Sequence, residues 1–223
     1  MRHTRNFLPE APDPVKGFSA LCSARWQGPE KAGHARIALA YLAPDQIRLE
    51  VLDPAGNSRA VLVATEEGAL VLDPARRSYR VYPSGLAAAS ALIGIAAPPQ
   101  LLGRLLLGPL SLAPTAACLS GADAKGDDPG PCTLPDGAVL ILPKQERDKG
   151  QLSLADGARL ELRWGGGSSG GRSLPRWLEI RQGIPEALLR LETREVGFSM
   201  PDASLFSLRT PAGFIAETSG SLP

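Results

Sequence analysis

The sequence predicts a mainly β fold: a curved antiparallel sheet of about 11 strands, forming an incomplete, half-open barrel with short lid helices. Three observations predict it. Apolar and polar residues alternate along most of the chain, and turn residues recur at intervals of about 10–12 residues, too short for intervening helices. The 223 residues include 24 Gly and 21 Pro, rich in turns without the composition of a low-complexity chain. One stretch, residues 84–110, abandons the alternation and is apolar and helical in pattern. A sheet this wide must curl or split. If it curls, the only apolar segments available to cover its concave face are the helices of 84–110.

Residues 1–16, MRHTRNFLPEAPDPVK, hold three Pro and no periodicity, and read as an extended tether ahead of a domain spanning 17–218. GFSALCSARWQG reads as the first strand. HARIALAYLAP places Ile37, Leu39 and Tyr41 on one face. QIRLEVLDP places Ile47, Leu49 and Val51 on one face and Arg48 and Glu50 on the other. SRAVLVATEEG, ALVLDP and SYRVYP continue the series, the last with Tyr79 and Val81 together. The turns Ala43-Pro-Asp, Asp53-Pro-Ala-Gly, Glu66-Glu-Gly and Asp73-Pro-Ala carry residues suited to tight antiparallel connections.

In the middle, Ser84 can cap a helix over 85–96. Pro98-Pro99 ends it and opens a second helix, 98–107, which Gly108-Pro109 stops. Arg104 is the only charge in this lid segment. Further strands follow in AVLILPKQERD, GQLSLADG, ARLELRW, RWLEIRQG and ALLRLETREVGF, with GGGSSGG as a flexible connection. PDASLFSLRTPAGF reads as a turn, a short strand and a closing loop, and residues 219–223 as a tail.

Charge and reactive residues exclude several functions. Lys and Arg number 24 against 23 Asp and Glu, a net charge of +1 that attracts no nucleic acid. Two His cannot build a His-rich metal site, and no metal or cofactor is expected. No GxSxG is present and no acid/base pair stands out, so an enzyme is not expected. The Cys are Cys22, Cys118 and Cys132, without a CxxC. Cys22 lies in an apolar strand and suits a small buried hydrophobe. Cys118 and Cys132 bracket a Gly/Pro/Asp-rich loop and are either two thiols or a disulfide, which would place the chain in an oxidising compartment.

Residues 46–108 resemble the LolB family of outer-membrane lipoprotein receptors: strand, Asp53-Pro54-Ala55-Gly56 turn, strand, hairpin, strand, then two lid helices ending in Leu106-Leu107-Gly108. PDASLFSL looks like the last strand of the wider family that includes the periplasmic carrier LolA. The resemblance implies a lipoprotein- or lipid-binding receptor or chaperone on the periplasmic side of the bacterial outer membrane, or in the periplasm. Acyl chains would be its ligand and a LolA-like carrier its partner, and the N-terminal tether would suit a linker from a lipid anchor. The family turn presents a protruding Leu to the bilayer at the position of Ala55, a difference of about 2 kcal/mol of insertion energy.

The trough implied is formed by Leu39, Tyr41, Ile47, Leu49, Val51, Leu62, Leu70, Leu72 and Val81, and its lid by Leu92, Ile93, Ile95, Leu102, Leu105 and Leu106. By the same resemblance, Pro54, Ala55 and Gly56 would form the membrane-facing turn. A non-catalytic scaffold of an envelope assembly, with a filled core, is the alternative.

Overall fold

The structure, a computed structural model, describes residues 15–29, 32–93, 99–107, 132–133, 138–141, 148–154, 157–165, 175–183 and 186–217. Its strands are β1 (Gly17–Gln27), β2 (Ala32–Leu42), β3 (Gln46–Leu52), β4 (Ser58–Thr65), β5 (Gly68–Asp73), β6 (Ser78–Tyr82), β7 (Cys132–Thr133), β8 (Val139–Ile141), β9 (Lys149–Ser153), β10 (Arg159–Gly165), β11 (Trp177–Gln182), β12 (Ala187–Gly197) and β13 (Ile215–Ala216). Two helices, α1 (Gly85–Ile93) and α2 (Pro99–Leu106), interrupt the series where the sequence places them. Among the described residues no helix is long and apolar enough to cross a membrane.

All 13 strands join one curved, open sheet in the order β13-β6-β5-β4-β3-β2-β1-β12-β11-β10-β9-β8-β7. Two antiparallel meanders, β1 to β6 and β7 to β12, meet along the long ladder between β1 and β12. The strand count exceeds the expected 11 because two-residue strands complete both edges.

Alternation decides which side chains go inside. In β10, Leu160, Leu162 and Trp164 are buried while Arg159, Glu161 and Arg163 are exposed. Inward side chains of both meanders, with those of α1 and α2, make one continuous apolar cluster on the concave face. β4 and β5 behave differently, because they are buried on both faces. Leu62, Ala64, Ala69 and Val71 face the inner cluster, whereas Val61, Val63, Leu70 and Leu72 face a second cluster on the outer side.

That outer cluster is closed by the C-terminal segment. Residues expected to form a short strand in PDASLFSL instead make a 3-10 turn, Ala203–Phe206, capped by the Asp202 carboxylate, which accepts from Ser204 N at 2.8 Å. The turn drives Phe206 into the outer cluster, where it is 4% exposed, with Leu208 and Phe214 beside it. The segment then runs parallel to β6 as β13, and Glu217 pairs with Arg80 at 2.9 Å. It thus straps the outer face of β3 to β6.

Replacing Phe206 by Ala empties the centre of this outer layer. The variant is expected to lose about 3 kcal/mol of stability, read from the urea unfolding midpoint. An unchanged midpoint would show that the strap does not belong to the folded core.

Candidate lipid-binding interior and its lid

The concave face is hydrocarbon over its whole breadth. β1 to β4 contribute Phe18, Leu39, Tyr41, Ile47, Leu49 and Leu62. β8 to β12 face them with Leu140, Leu152, Leu160, Leu162, Trp164, Leu178, Ile180, Leu189 and Leu191. Over this face lie the two helices. Ser84 starts α1, its hydroxyl accepting from Ala87 N at 3.3 Å. Pro99 occupies the first position of α2, where its missing N–H costs nothing. Leu101, Leu102, Leu105 and Leu106 of α2 are between 0% and 4% exposed.

α2 is latched to both halves of the sheet. On one side Gly103 lies against the Tyr41 ring so closely that a Cβ there would fall 2.3 Å from Cδ2. Tyr41 is held in turn by Phe18, with ring centroids 5.6 Å apart, and by its hydroxyl, which donates to Pro44 O at 2.8 Å. Arg104 donates to the same carbonyl at 2.9 Å and pairs with Asp45 at 2.6 Å. Burial pushes the Tyr41 phenol above its ordinary pKa. On the other side, Trp164 Nε1 of β10 donates to Leu105 O at 2.8 Å, in a buried bond. A carbonyl in the last turn of a helix has no intrahelical partner, so the indole satisfies a group that burial would otherwise penalise.

The structure brings most of the sequence-predicted lining together. Leu39, Tyr41, Ile47, Leu49, Leu62, Leu102, Leu105 and Leu106 all lie in the inner cluster, and Leu92 packs at its margin. Val51 is half-buried, opposite Ile37 of β2. Three residues face the other way. Leu70 and Leu72 belong to the outer cluster, and Val81, across from Leu70, is 71% exposed. The reason is that β5 is apolar at every inner and outer position, so its composition does not distinguish the faces. Ile95, Cys118 and the side chains of Ile93 and Cys132 lie outside the described residues, and the disulfide question with them.

The expected trough is not an open one. The leucines of α2 occupy the concave face themselves. Two clefts of the described surface, about 550 and 440 Å³, lie on the outer face of β1, β2, β3 and β12. Sequence reasoning also left out the second half of the lining, including Trp164, although the strict alternation of RLELRW signalled it.

The Asp53–Gly56 turn is rigid. Gly56 has φ 90°, the left-handed region that glycine adopts readily. Asp53 Oδ1 accepts from Asn57 N at 2.9 Å, and this bond first of all holds the Asp53 carboxyl below its ordinary pKa. Arg36 donates to Pro54 O at 2.9 Å. Pro54 and Ala55 stand exposed at the tip.

No protein-family profile and no curated protein matches this sequence. Solved structures match it in shape. A LolA superfamily protein from Nitrosomonas europaea gives a TM-score of 0.53 at 11% identity, covering 87% of this chain and 91% of that one. A putative outer-membrane lipoprotein-sorting protein domain from Vibrio parahaemolyticus gives 0.54 at 9% identity, covering 87% and 90%. The likeness is one of fold: these structures share the open, curved sheet with this chain, and they do not single out LolB.

Two outcomes follow from the interior. Gly103→Ala gains helix propensity of about 1 kcal/mol, but its methyl overlaps a ring that two contacts hold in place. The clash is expected to prevail, with a net loss of about 1–2 kcal/mol in denaturant unfolding; a stabilised variant would show that Tyr41 yields. Burial raises the Cys22 pKa to about 11. Peptide mapping after iodoacetamide treatment at neutral pH should find Cys22 unmodified in native protein and modified in urea.

Proposed function

We propose that the chain is a lipoprotein- or lipid-binding protein of the bacterial envelope, which takes acyl chains onto its concave face when α2 lifts. One observation supports this above the others: a single hydrocarbon surface runs across both meanders and is covered by two short helices. A surface that wide, covered by so little chain, can exchange its cover for another hydrocarbon. The neighbouring fold of a lipoprotein-sorting domain supports the same reading.

The energetics suit transfer without nucleotide. Burying a 16-carbon chain is worth on the order of 10 kcal/mol. The four leucines of α2 are worth roughly 6–12 kcal/mol on the same scale. Cargo and lid therefore replace each other at a small net cost, and the direction of exchange follows from which partner offers the better site. Hydrocarbon has no directional contacts, so selectivity among acyl chains is low. Arg104 and Asp45 are 21% and 41% exposed, so their ion pair adds no more than ~1 kcal/mol to closure. A LolA-like carrier is the donor this reading calls for, and the periplasmic side of the outer membrane is its setting. With Ala55 at the turn tip, holding the cargo rather than inserting it is the part assigned to this chain.

The closed packing of the concave face favours a second reading, a scaffold whose interior never opens. Native mass spectrometry of the purified chain with a palmitoylated peptide separates the two. A one-to-one complex is expected, and Arg104→Ala should tighten it up to about fivefold by weakening the closed state. Absence of a complex with either protein would leave the scaffold.

A further inference from the structure

The outer face carries a feature that the acyl-binding interior does not use. Along the seam between the meanders, Arg25 of β1 sits directly opposite Arg190 of β12 and directly opposite His34 of β2. In the next row, Ser23 sits between Glu192 and Arg36. Like charges facing each other on neighbouring strands destabilise a sheet. Among the described residues the Arg25 side chain has no hydrogen-bond or ion-pair partner, so its own charge is left uncompensated there, whereas Arg190 opposite has Glu179 at 3.6 Å and Glu192 at 3.5 Å. A local arrangement that costs stability without a structural return is where a ligand is to be sought.

The same residues line the 440 Å³ cleft, which Arg25, His34, Arg36, Arg190 and Arg194 share with the Asp53–Pro54 turn. Its lining holds four Arg against two carboxylates, and both carboxylates are engaged. Glu192 pairs with Arg190 at 3.5 Å and Arg194 at 3.4 Å. Asp53 pairs with Arg59 at 3.2 Å and binds Asn57. Arg190 is steadied by the Trp177 ring, 4.8 Å from its guanidinium carbon, and Arg194 donates to Ser23 Oγ at 3.0 Å. Two of the guanidinium groups are thus oriented in advance while Arg25 stands free between them and His34. Guanidinium forks recognise carboxylate and phosphate oxyanions bidentately, and several together suit the multiply oxygenated phosphate group.

We propose that this outer cleft binds a phosphate-bearing anion, with Arg25 as its central contact and Arg36, Arg190 and Arg194 around it. The phosphodiester of an acidic phospholipid and a soluble phosphate share this chemistry. The site is independent of the concave face, and locking or opening α2 leaves it unchanged.

The test uses the full chain and sedimentation with vesicles of phosphatidylcholine alone or mixed with phosphatidylglycerol. Binding is expected for the mixture only, weakened about fivefold in Arg25→Gln and roughly 20-fold in Arg25→Glu. Arg159→Glu makes the same charge change on the outer face of β10, away from the cleft, and should bind nearly as the parent does. Arg25→Gln should melt at the parent's temperature or above it, because it relieves repulsion, so its weaker binding cannot be assigned to misfolding. In a second arm, inorganic phosphate is compared with chloride at equal ionic strength. Phosphate that raises the melting temperature of the parent but not of Arg25→Glu, without vesicle binding, identifies a soluble phosphate as the ligand. Equal weakening by Arg25→Glu and Arg159→Glu overturns the proposal, as does indifference to both phosphate and vesicles.

Discussion

The docking of α2 onto the concave face is the interaction on which the rest of the molecule depends. An open sheet this broad presents a hydrocarbon surface that water disfavours, and no strand of the sheet can cover it. α2 does so with four leucines, and it is tied at both sides: through Gly103 and Arg104 to Tyr41, Pro44 and Asp45, and through Leu105 O to Trp164. The ties are unequal in kind. Arg104 and Asp45 lie near solvent, where an ion pair contributes little. The indole bond is buried, and a backbone carbonyl stripped of it would be left unpaired in an apolar site. Opening is therefore easier to begin from the Arg104 side than from the Trp164 side.

The two faces of the sheet do different work because different segments cover them. The inner face is apolar throughout and is closed by the middle of the chain. The outer face is apolar over β4 and β5, where the C-terminal strap and Phe206 lie, and is polar along the β1–β12 seam, with its arginines gathered at one end. The strap also occupies the free edge of β6, where unpaired backbone groups would otherwise invite another chain. The molecule thus combines a hydrocarbon interior with a charged exterior without mixing them.

Much of this was legible in the residues. Alternation grouped Ile37, Leu39 and Tyr41 of β2 and Ile47 and Leu49 of β3 on the face that the inner cluster occupies, and Ser84 and the Pro98-Pro99 pair placed both helices to within a few residues. Other features were not legible, for physical reasons. ALVLD alternates in nothing, so Leu70 and Leu72 could not be assigned to a face until the strap that buries them was seen. Val81 followed the same error, because strand pairing carries one inversion to the next strand. PDASLF reads as a strand by composition, but Asp202 caps a turn and only the fold reveals the outer pocket that Phe206 fills. Trp164 is a core aromatic by every local criterion, and its bond to α2 depends on a partner 59 residues away. The juxtaposition of Arg25 with Arg190 depends on one more distant still.

That last pairing has a bearing on how the chain comes to be folded. Within each meander every strand finds its neighbour through a nearby connection, so both can form early and locally. The β1–β12 ladder and the short β6–β13 pairing are the exceptions, and the first of them joins β1 to a strand about 160 residues further along the chain. Until it zips, β1 keeps one open margin while the ribosome makes the strands between, and the growing chain is exposed to mispairing there. Arg25 lies on that open margin from the start, and a charge on an unpaired strand edge disfavours association of one copy's margin with another's, so the residue that faces Arg190 in the finished sheet also guards the nascent one.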